Sequence, residues 1–131
     1  MIVVDASAMV EFLLQTDIGA RVERRLFHGA TILNAPHLLD VEVAQVLRRL
    51  VRAGEVAAAR AAGALTDLAE LDLHRHPHVH LLRRVWALRR NVTAYDAVYL
   101  GLAEALDAPL VTCDGPLGAT SAHHARIEVI R

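Results

Sequence analysis

The sequence contains no lysine, and all 14 of its basic residues are arginines. Mechanisms that require a lysine are therefore excluded. Positive charge is not in excess either, because 15 acidic residues give a formal net charge of −1. No global positive field draws this chain to nucleic acid, so any binding of a polyanion must depend on local patches.

Cysteine and long apolar runs are also scarce. Cys113 is the single cysteine, which rules out an internal disulfide and fits a reducing cytosol. No apolar run approaches the roughly 20 residues of a membrane span. The opening stretch MIVVDASAMVEF has no basic segment and carries Asp5, unlike a signal peptide. We expect a cytoplasmic protein that does not enter a membrane.

Strand and helix patterns alternate along the 131 residues, of which 54% are hydrophobic. The length suits one domain over 1–131 with a full core. Alternating patterns predict an α/β sandwich with a mostly parallel sheet. Short apolar runs predict strands at 1–4, 30–36, 71–76, 109–113 and 127–130, and helical spacing predicts helices at 6–15, 18–28, 37–54, 55–71, 79–90 and 91–106.

Two acidic residues follow predicted strands directly. Asp5 comes after IVV, and Asp114 follows PLVTC. Ligands of open α/β sheets bind beyond the carboxyl ends of the strands, so parallel strands would place both carboxylates on one rim. Each residue also has a structural interpretation. Asp5 can cap the next helix, and Asp114 can form an Asp-Gly turn with Gly115.

Two further acids lie within apolar helical patterns. Glu42 has Leu38, Leu39 and Val46 among its helical neighbours, which places it against the apolar face. An acid at the edge of a buried stripe would give the same pattern. Asp96 lies in NVTAYDAVYLGLAEAL, where it can form a capping box with Thr93 and also suits the helix dipole.

The motifs together resemble a PIN domain of the VapC toxin type over nearly the whole chain. The matching stretches are MIVVDASAMVEFL, APHLLDVEVAQVLRR, RRNVTAYDAVYLGLAEAL and APLVTCD, in the order found in the family. The resemblance implies a PIN-like three-layer sandwich whose central sheet is flanked by helices. Its four acidic positions correspond to Asp5, Glu42, Asp96 and Asp114.

The resemblance also implies a metal-dependent ribonuclease. Clustered carboxylates repel one another, and a divalent cation relieves this repulsion. Oxygen ligands favour Mg²⁺ or Mn²⁺, which we expect Asp5 and Asp96 to contact directly. Glu42 and Asp114 would hold metal-bound water or a second ion. Ser7 and Thr112 would orient Asp5 and Asp114 through hydrogen bonds, although both residue types are also common at helix starts and strand ends.

By the same resemblance, the substrate would be a structured RNA such as tRNA or rRNA, cleaved to leave a 5′-phosphate and a 3′-hydroxyl. Growth would stop unless a cognate VapB-type antitoxin inserted a segment towards the acidic groove. The apolar faces of VEVAQVLRRLV and of the alanine-rich helix would form protein interfaces, consistent with a homodimer. Arg89 and Arg90, just before the Asp96 helix, would contact phosphate, although paired arginines are usually solvated helix faces.

Several features leave other interpretations to weigh. Gly115 and Pro116 stand where a basic residue is common in the family. HRHPHVH suggests zinc through His74, His76, His78 and His80, but Pro77 interrupts the strand and no cysteine is near, which favours an exposed turn. Cys113 is better explained as a small strand-end residue than as a nucleophile, because no base is marked out for it.

Three other classes of protein are alternatives. A phospho-acceptor receiver normally needs a lysine and an acidic pair at its first strand. A haloacid-dehalogenase-type phosphatase needs Asp-x-Asp, whereas this chain has Asp5, Ala6 and Ser7. A PIN domain that binds RNA or a partner without cutting remains open, although the presence of all four acids argues against it.

Overall fold

The computed structural model describes residues 1–131. Five strands form one sheet in the order β3-β2-β1-β4-β5, and every neighbouring pair is parallel. The α/β prediction is confirmed, and the sheet is wholly rather than mostly parallel. The strands are β1 (Ile2–Val4), β2 (Leu33–Pro36), β3 (Leu73–His76), β4 (Leu110–Thr112) and β5 (Ile127–Val129).

Seven α-helices and one 3-10 turn connect these strands. The chain runs outward from β1 to β3 and then returns to β4 and β5, so the strand order reverses between β1 and β4. Since crossovers between parallel strands are right-handed, this reversal puts α1–α4 on one face and α5 and α6 on the other. The helices are α1 (Ala6–Leu13), α2 (Asp17–Leu26), α3 (Leu38–Arg52), α4 (Ala58–Glu70), α5 (Leu82–Ala87), α6 (Ala94–Leu106) and α7 (Gly115–Gly118).

Most predicted elements are present, with two differences around the later strands. The helix predicted over 79–90 is a 3-10 turn (Val79–Leu81) followed by the short α5, and the chain then leaves the helix in a series of turns. The Asp-Gly turn considered as the structural interpretation of Asp114 is instead one turn of helix, α7. Asp114 caps α7 by accepting a hydrogen bond from the Leu117 amide (3.4 Å), and Pro116 suits its first turn.

The core explains why α6 is so apolar. Every residue from Ala97 to Ala103 is buried, and α6 packs against β1, β2 and β4. The apolar stripes of α3 and α4, considered above as protein interfaces, also serve the core through Val43, Leu47, Ala64 and Leu68. No helix in the structure is both long enough and apolar enough to span a membrane.

Candidate active site

The reversal of strand order creates a crevice at the carboxyl ends of β1 and β4, which is where open α/β sheets bind their ligands. Val4 and Val111 are partners in the β1–β4 ladder, so the residues that follow them emerge on the same rim. Asp5 follows β1, and Asp114 lies two residues beyond Thr112 at the end of β4. The structure therefore brings both strand-end acids to one edge of the sheet.

Asp5 is held in a fixed orientation by hydrogen bonds to both of its carboxylate oxygens. Its Oδ1 accepts from the Ser7 amide and the Ser7 hydroxyl, each at 2.6 Å, and its Oδ2 accepts from the Thr112 hydroxyl at 2.5 Å. Asp5 is only 6% exposed. It also caps α1 by accepting from the Ala8 amide at 3.4 Å. The capping interpretation of Asp5 and its place in an acidic site are thus compatible.

Ser7 and Thr112 join the two strand-end acids into one network. The fully buried Thr112 hydroxyl accepts from the Asp114 amide at 3.0 Å while it donates to Asp5. The Ser7 hydroxyl accepts from the Cys113 amide at 2.9 Å. These bonds fix the β4 end against the start of α1, so both hydroxyls are placed to orient the acids.

Glu42 enters the same crevice from α3. Its Oε1 accepts a hydrogen bond from the hydroxyl of Tyr99 on α6 at 2.6 Å, and Tyr99 itself is 2% exposed. Burial raises the pKa of Glu42, the Tyr99 hydrogen bond opposes this, and the charges of Asp5 and Asp96 raise it further. The Tyr99–Glu42 contact was not predicted from the sequence, because it depends on how α3 packs near α6.

Asp96 enters from the first turn of α6. Thr93 makes the helix cap alone, with its hydroxyl accepting from the Asp96 amide at 3.2 Å. Asp96 lies on the wall of the crevice. Its carboxylate accepts no hydrogen bond from the Thr93 amide, so the reciprocal bond of a capping box is absent. Burial raises the pKa of Asp96, the negative charges of Asp114 and Asp5 add to the effect, and an interaction with the Thr93 side chain opposes it.

The four acids line one cavity of about 420 Å³. Burial, and to a smaller extent the charges of the neighbouring acids, raises the pKa values of Glu42 and Asp96. A bound cation would relieve the repulsion between the acids. The cavity wall also includes residues that sequence reasoning did not select. Among these, Gln45, Arg49 and Tyr95 carry polar groups.

The two arginines predicted to contact phosphate lie outside the cavity wall. Arg89 and Arg90 are exposed and do not line the cavity. The Arg89 guanidinium lies over the Trp86 ring, 4.8 Å from its centroid, and donates to the Trp86 carbonyl oxygen at 2.9 Å. Arg89 is thus engaged within the α5 region because α5 ends early and turns back on itself. Cys113 is half-buried, and burial raises the pKa of its thiol to about 11, so the thiol stays protonated at neutral pH.

The histidine-rich segment forms no shared site. His76 Nε2 lies 2.8 Å from Oδ1 of the buried Asn34, whereas His74, His78 and His80 are exposed. Nowhere in the chain do three or more His, Cys, Asp or Glu side chains form a group that could hold a metal ion by themselves.

The ligands available in the acidic cavity indicate which metal ion it fits. Zinc is usually held by three or more protein side chains, and the four acids do not form such a group. Mg²⁺ is usually bound through one or two carboxylates and keeps several waters, with substrate phosphates completing its shell. The oxygen-only donors around this cavity fit that pattern.

The fold and the acid-lined crevice define a PIN-domain protein, and sequence comparison shows the same. The sequence profile of the PIN domain matches residues 2–121. The chain belongs to the PIN-domain family and, within it, to the VapC ribonuclease group, as the following relatives show.

Ribonuclease VapC1 of Mycobacterium tuberculosis is 45% identical over 130 residues, which cover 98% of this chain and 97% of that protein. Ribonuclease VapC9 of the same organism is 42% identical, with 99% and 98% covered. Among solved structures, PAE2754 from Pyrobaculum aerophilum superposes with a TM-score of 0.71 at 30% identity, covering 98% of this chain and 83% of that one. The resemblance inferred from the motifs is confirmed.

Proposed function

We propose that the protein is a metal-dependent endoribonuclease toxin of a type II toxin–antitoxin system. The observation that carries this proposal is the convergence of Asp5, Glu42, Asp96 and Asp114 on one cavity at the strand-order reversal. The relatives named ribonucleases match nearly the whole chain, which supports RNA as the substrate.

Asp5 and Asp96 are the acids that would hold Mg²⁺ or Mn²⁺, with Glu42 and Asp114 directed at metal-held water or a second ion. When bound, such an ion supplies a more acidic water nucleophile and stabilises charge on the phosphate oxygens. Asp5 is suited to direct contact because Ser7 and Thr112 fix its orientation in advance, so little reorganisation is needed when the ion binds.

The other residues define the chemistry that the site can support. No histidine lines the cavity, so a cyclising attack by the ribose 2′-hydroxyl has no imidazole base there. Attack by water, with departure of the 3′ oxygen, matches an acidic site and leaves a 5′-phosphate and a 3′-hydroxyl. Structured RNA such as tRNA or rRNA is the substrate class that we propose.

Growth inhibition, neutralisation by a VapB-type antitoxin, a cytoplasmic location and homodimerisation belong to the same proposal. The VapC relatives support the first two. Exposed apolar side chains at the cavity rim support a protein partner there, since Val41 is 70% and Tyr95 is 60% exposed. An antitoxin segment that covers them would also close the acidic cavity.

Cleavage of end-labelled tRNA and rRNA fragments tests the proposal. The purified chain is assayed with Mg²⁺, Mn²⁺ or EDTA, beside Asp96→Asn protein prepared identically to reveal contaminating nuclease. We expect discrete cuts that require metal and vanish in the variant. Cuts that persist in EDTA or in Asp96→Asn would contradict the mechanism, and RNA binding without cutting would favour a non-cleaving PIN module.

A further inference from the structure

The arginines of this protein fall into two groups, those with partners and those without. Four form ion pairs with an acidic side chain: Arg25, Arg75, Arg84 and Arg126. Arg49 and Arg131 are exposed, and neither guanidinium makes a hydrogen bond or an ion pair. Arg24, Arg48, Arg52, Arg83 and Arg90 also lack such a partner. What distinguishes Arg49 and Arg131 is their position, because Arg49 lines the acidic cavity and Arg131 lies next to Gly115, which follows Asp114.

Arg49 is on the wall of the cavity. It lies two helical turns beyond Glu42 on α3, and Gln45 and Val46 between them line the same wall. Residues seven apart on a helix share a face and are separated by about 10 Å along the axis. Arg49 is therefore the one cationic side chain on a wall that also carries four acids.

Arg131 reaches the opposite side of the site through the edge strand. Thr112 pairs with Val129 in the β4–β5 ladder, and the Ile130 amide donates to the Thr112 carbonyl at 2.8 Å. Arg131 lies two residues beyond the end of β5, and Asp114 lies two residues beyond the end of β4. A Cβ placed on Gly115 would lie 3.8 Å from Arg131 Nη2, so the guanidinium lies beside the residue that follows Asp114.

We propose that Arg49 and Arg131 bind RNA phosphates on two sides of the acidic cavity and so position the strand for cleavage. The proposal rests on the function proposed above and adds the means of holding the substrate. An acidic cavity repels the RNA backbone, and the chain as a whole has no net positive charge to offset this, since its formal net charge is −1. Unpaired guanidinium groups can bind phosphate oxygens in a bidentate manner without first breaking an ion pair.

Binding of fluorescein-labelled tRNA and of a fluorescein-labelled rRNA fragment, followed by anisotropy over a series of salt concentrations, tests this. The measurements use the Asp96→Asn background so that the RNA stays intact. We expect Arg49→Gln and Arg131→Gln each to weaken binding about fivefold at low salt, and each to reduce the slope of log K against log salt by about 0.7. Arg→Lys at either position should restore most of the slope, because it keeps the charge.

Two matched controls separate this effect from a general loss of charge. Arg48→Gln changes the neighbouring residue of α3, which does not line the cavity. Arg126→Gln changes the amino end of β5, where Arg126 pairs with Asp107. Both controls should leave the salt slope unchanged.

The outcomes distinguish this proposal from the proposed function. If the otherwise unmodified protein cuts RNA but the two arginine variants bind like their controls, the positioning role is wrong and the nuclease stands. If nothing is cut but the variants lose affinity and slope, the positioning role stands for a non-cleaving RNA-binding module. If the labelled RNA does not bind at all, both proposals are overturned.

Discussion

The acidic cavity and the histidine-rich edge of the sheet both gather like-charged groups, but they gather them in different ways. The acids come from four elements spread over the chain, and the sheet brings them to one rim. The histidines are neighbours in sequence at 74–80, yet only His76 makes a buried contact, with Asn34. Proximity along the chain is thus a weaker guide to a site than position at the carboxyl ends of parallel strands.

Asp5→Asn, in the acidic cavity, is the substitution from which we expect the largest effect on cleavage. Asparagine keeps an oxygen for the α1 cap but removes the charge that would hold the metal, so we expect cleavage to fall by at least about 10³-fold. The measurement is the single-turnover rate of RNA cleavage in saturating Mg²⁺.

Its counterpart is the double variant His74→Ala and His78→Ala at the other region. Both side chains are exposed, so cleavage should stay within about twofold of the unsubstituted rate and stability within about 0.5 kcal/mol. A large loss of cleavage in this double variant would show that the histidine edge takes part in the reaction.

Thr112→Val is expected to disturb both the cavity and the fold. It removes the donor to Asp5 and the acceptor for the Asp114 amide from a fully buried position. We expect cleavage to fall about 10- to 100-fold and the free energy of unfolding to fall by about 2–3 kcal/mol, measured in urea. Thr112→Ser keeps the hydroxyl and should recover most of both, which a simple packing defect would not.

The sequence predicted the strand-end acids because their position depends only on where two strands stop. Asp5 follows β1 directly and Asp114 lies two residues beyond β4, and the parallel pairing of β1 with β4 brings both to one rim. Arg49, Tyr99 and Arg131 were missed because their places depend on packing between elements that are distant in sequence. No local pattern shows that Glu42 on α3 meets Tyr99 on α6. Nor does one show that β5 lies beside β4 and brings Arg131 near Gly115.

The helix prediction for the region before α6 was wrong for the opposite reason, because it relied on the local spacing of apolar residues alone. Apolar spacing over 79–90 predicted one long helix, but the structure has a 3-10 turn and the short α5. Arg89 then folds back over Trp86 rather than continuing a helix towards the cavity. Arg89 and Arg90 were predicted as phosphate contacts because they directly precede the Asp96 helix, and the structure places them outside the cavity wall.

Tyr99→Phe should have a smaller effect, confined to the cavity. It removes the hydrogen bond to Glu42 while keeping the buried ring. We expect cleavage to fall about tenfold and the free energy of unfolding to change by about 1 kcal/mol. Tyr95→Phe is the matched control, since Tyr95 lies on the cavity rim and is 60% exposed. Equal losses in the two variants would show that Glu42 does not depend on its tyrosine partner.

The two regions should finally differ in the sign of their effect on stability as pH changes. The pKa of Asp96 is raised above 3.8 by burial and neighbouring acids, so the folded state binds its proton more tightly than the unfolded state. Its contribution to stability is present below the unfolded pKa and is lost as pH rises through the folded pKa. In EDTA, Asp96→Asn should therefore stabilise the protein at neutral pH and lose this advantage towards acid pH.

The pKa of His76 is lowered below 6.5 by burial and by the nearby His74, His37 and His80. The unfolded state then binds the proton more tightly, so the stabilising contribution is present above pH 6.5 and is lost as pH falls through the folded pKa. His76→Gln should reduce the loss of stability as the pH becomes acidic. Asp96→Asn should instead reduce the loss of stability as the pH rises towards neutral. Urea unfolding of the unsubstituted protein and of both variants, in EDTA between acid and neutral pH, measures the change in the free energy of unfolding that each substitution causes. If this change varied with pH in the same direction for both variants, the two environments would not differ as described.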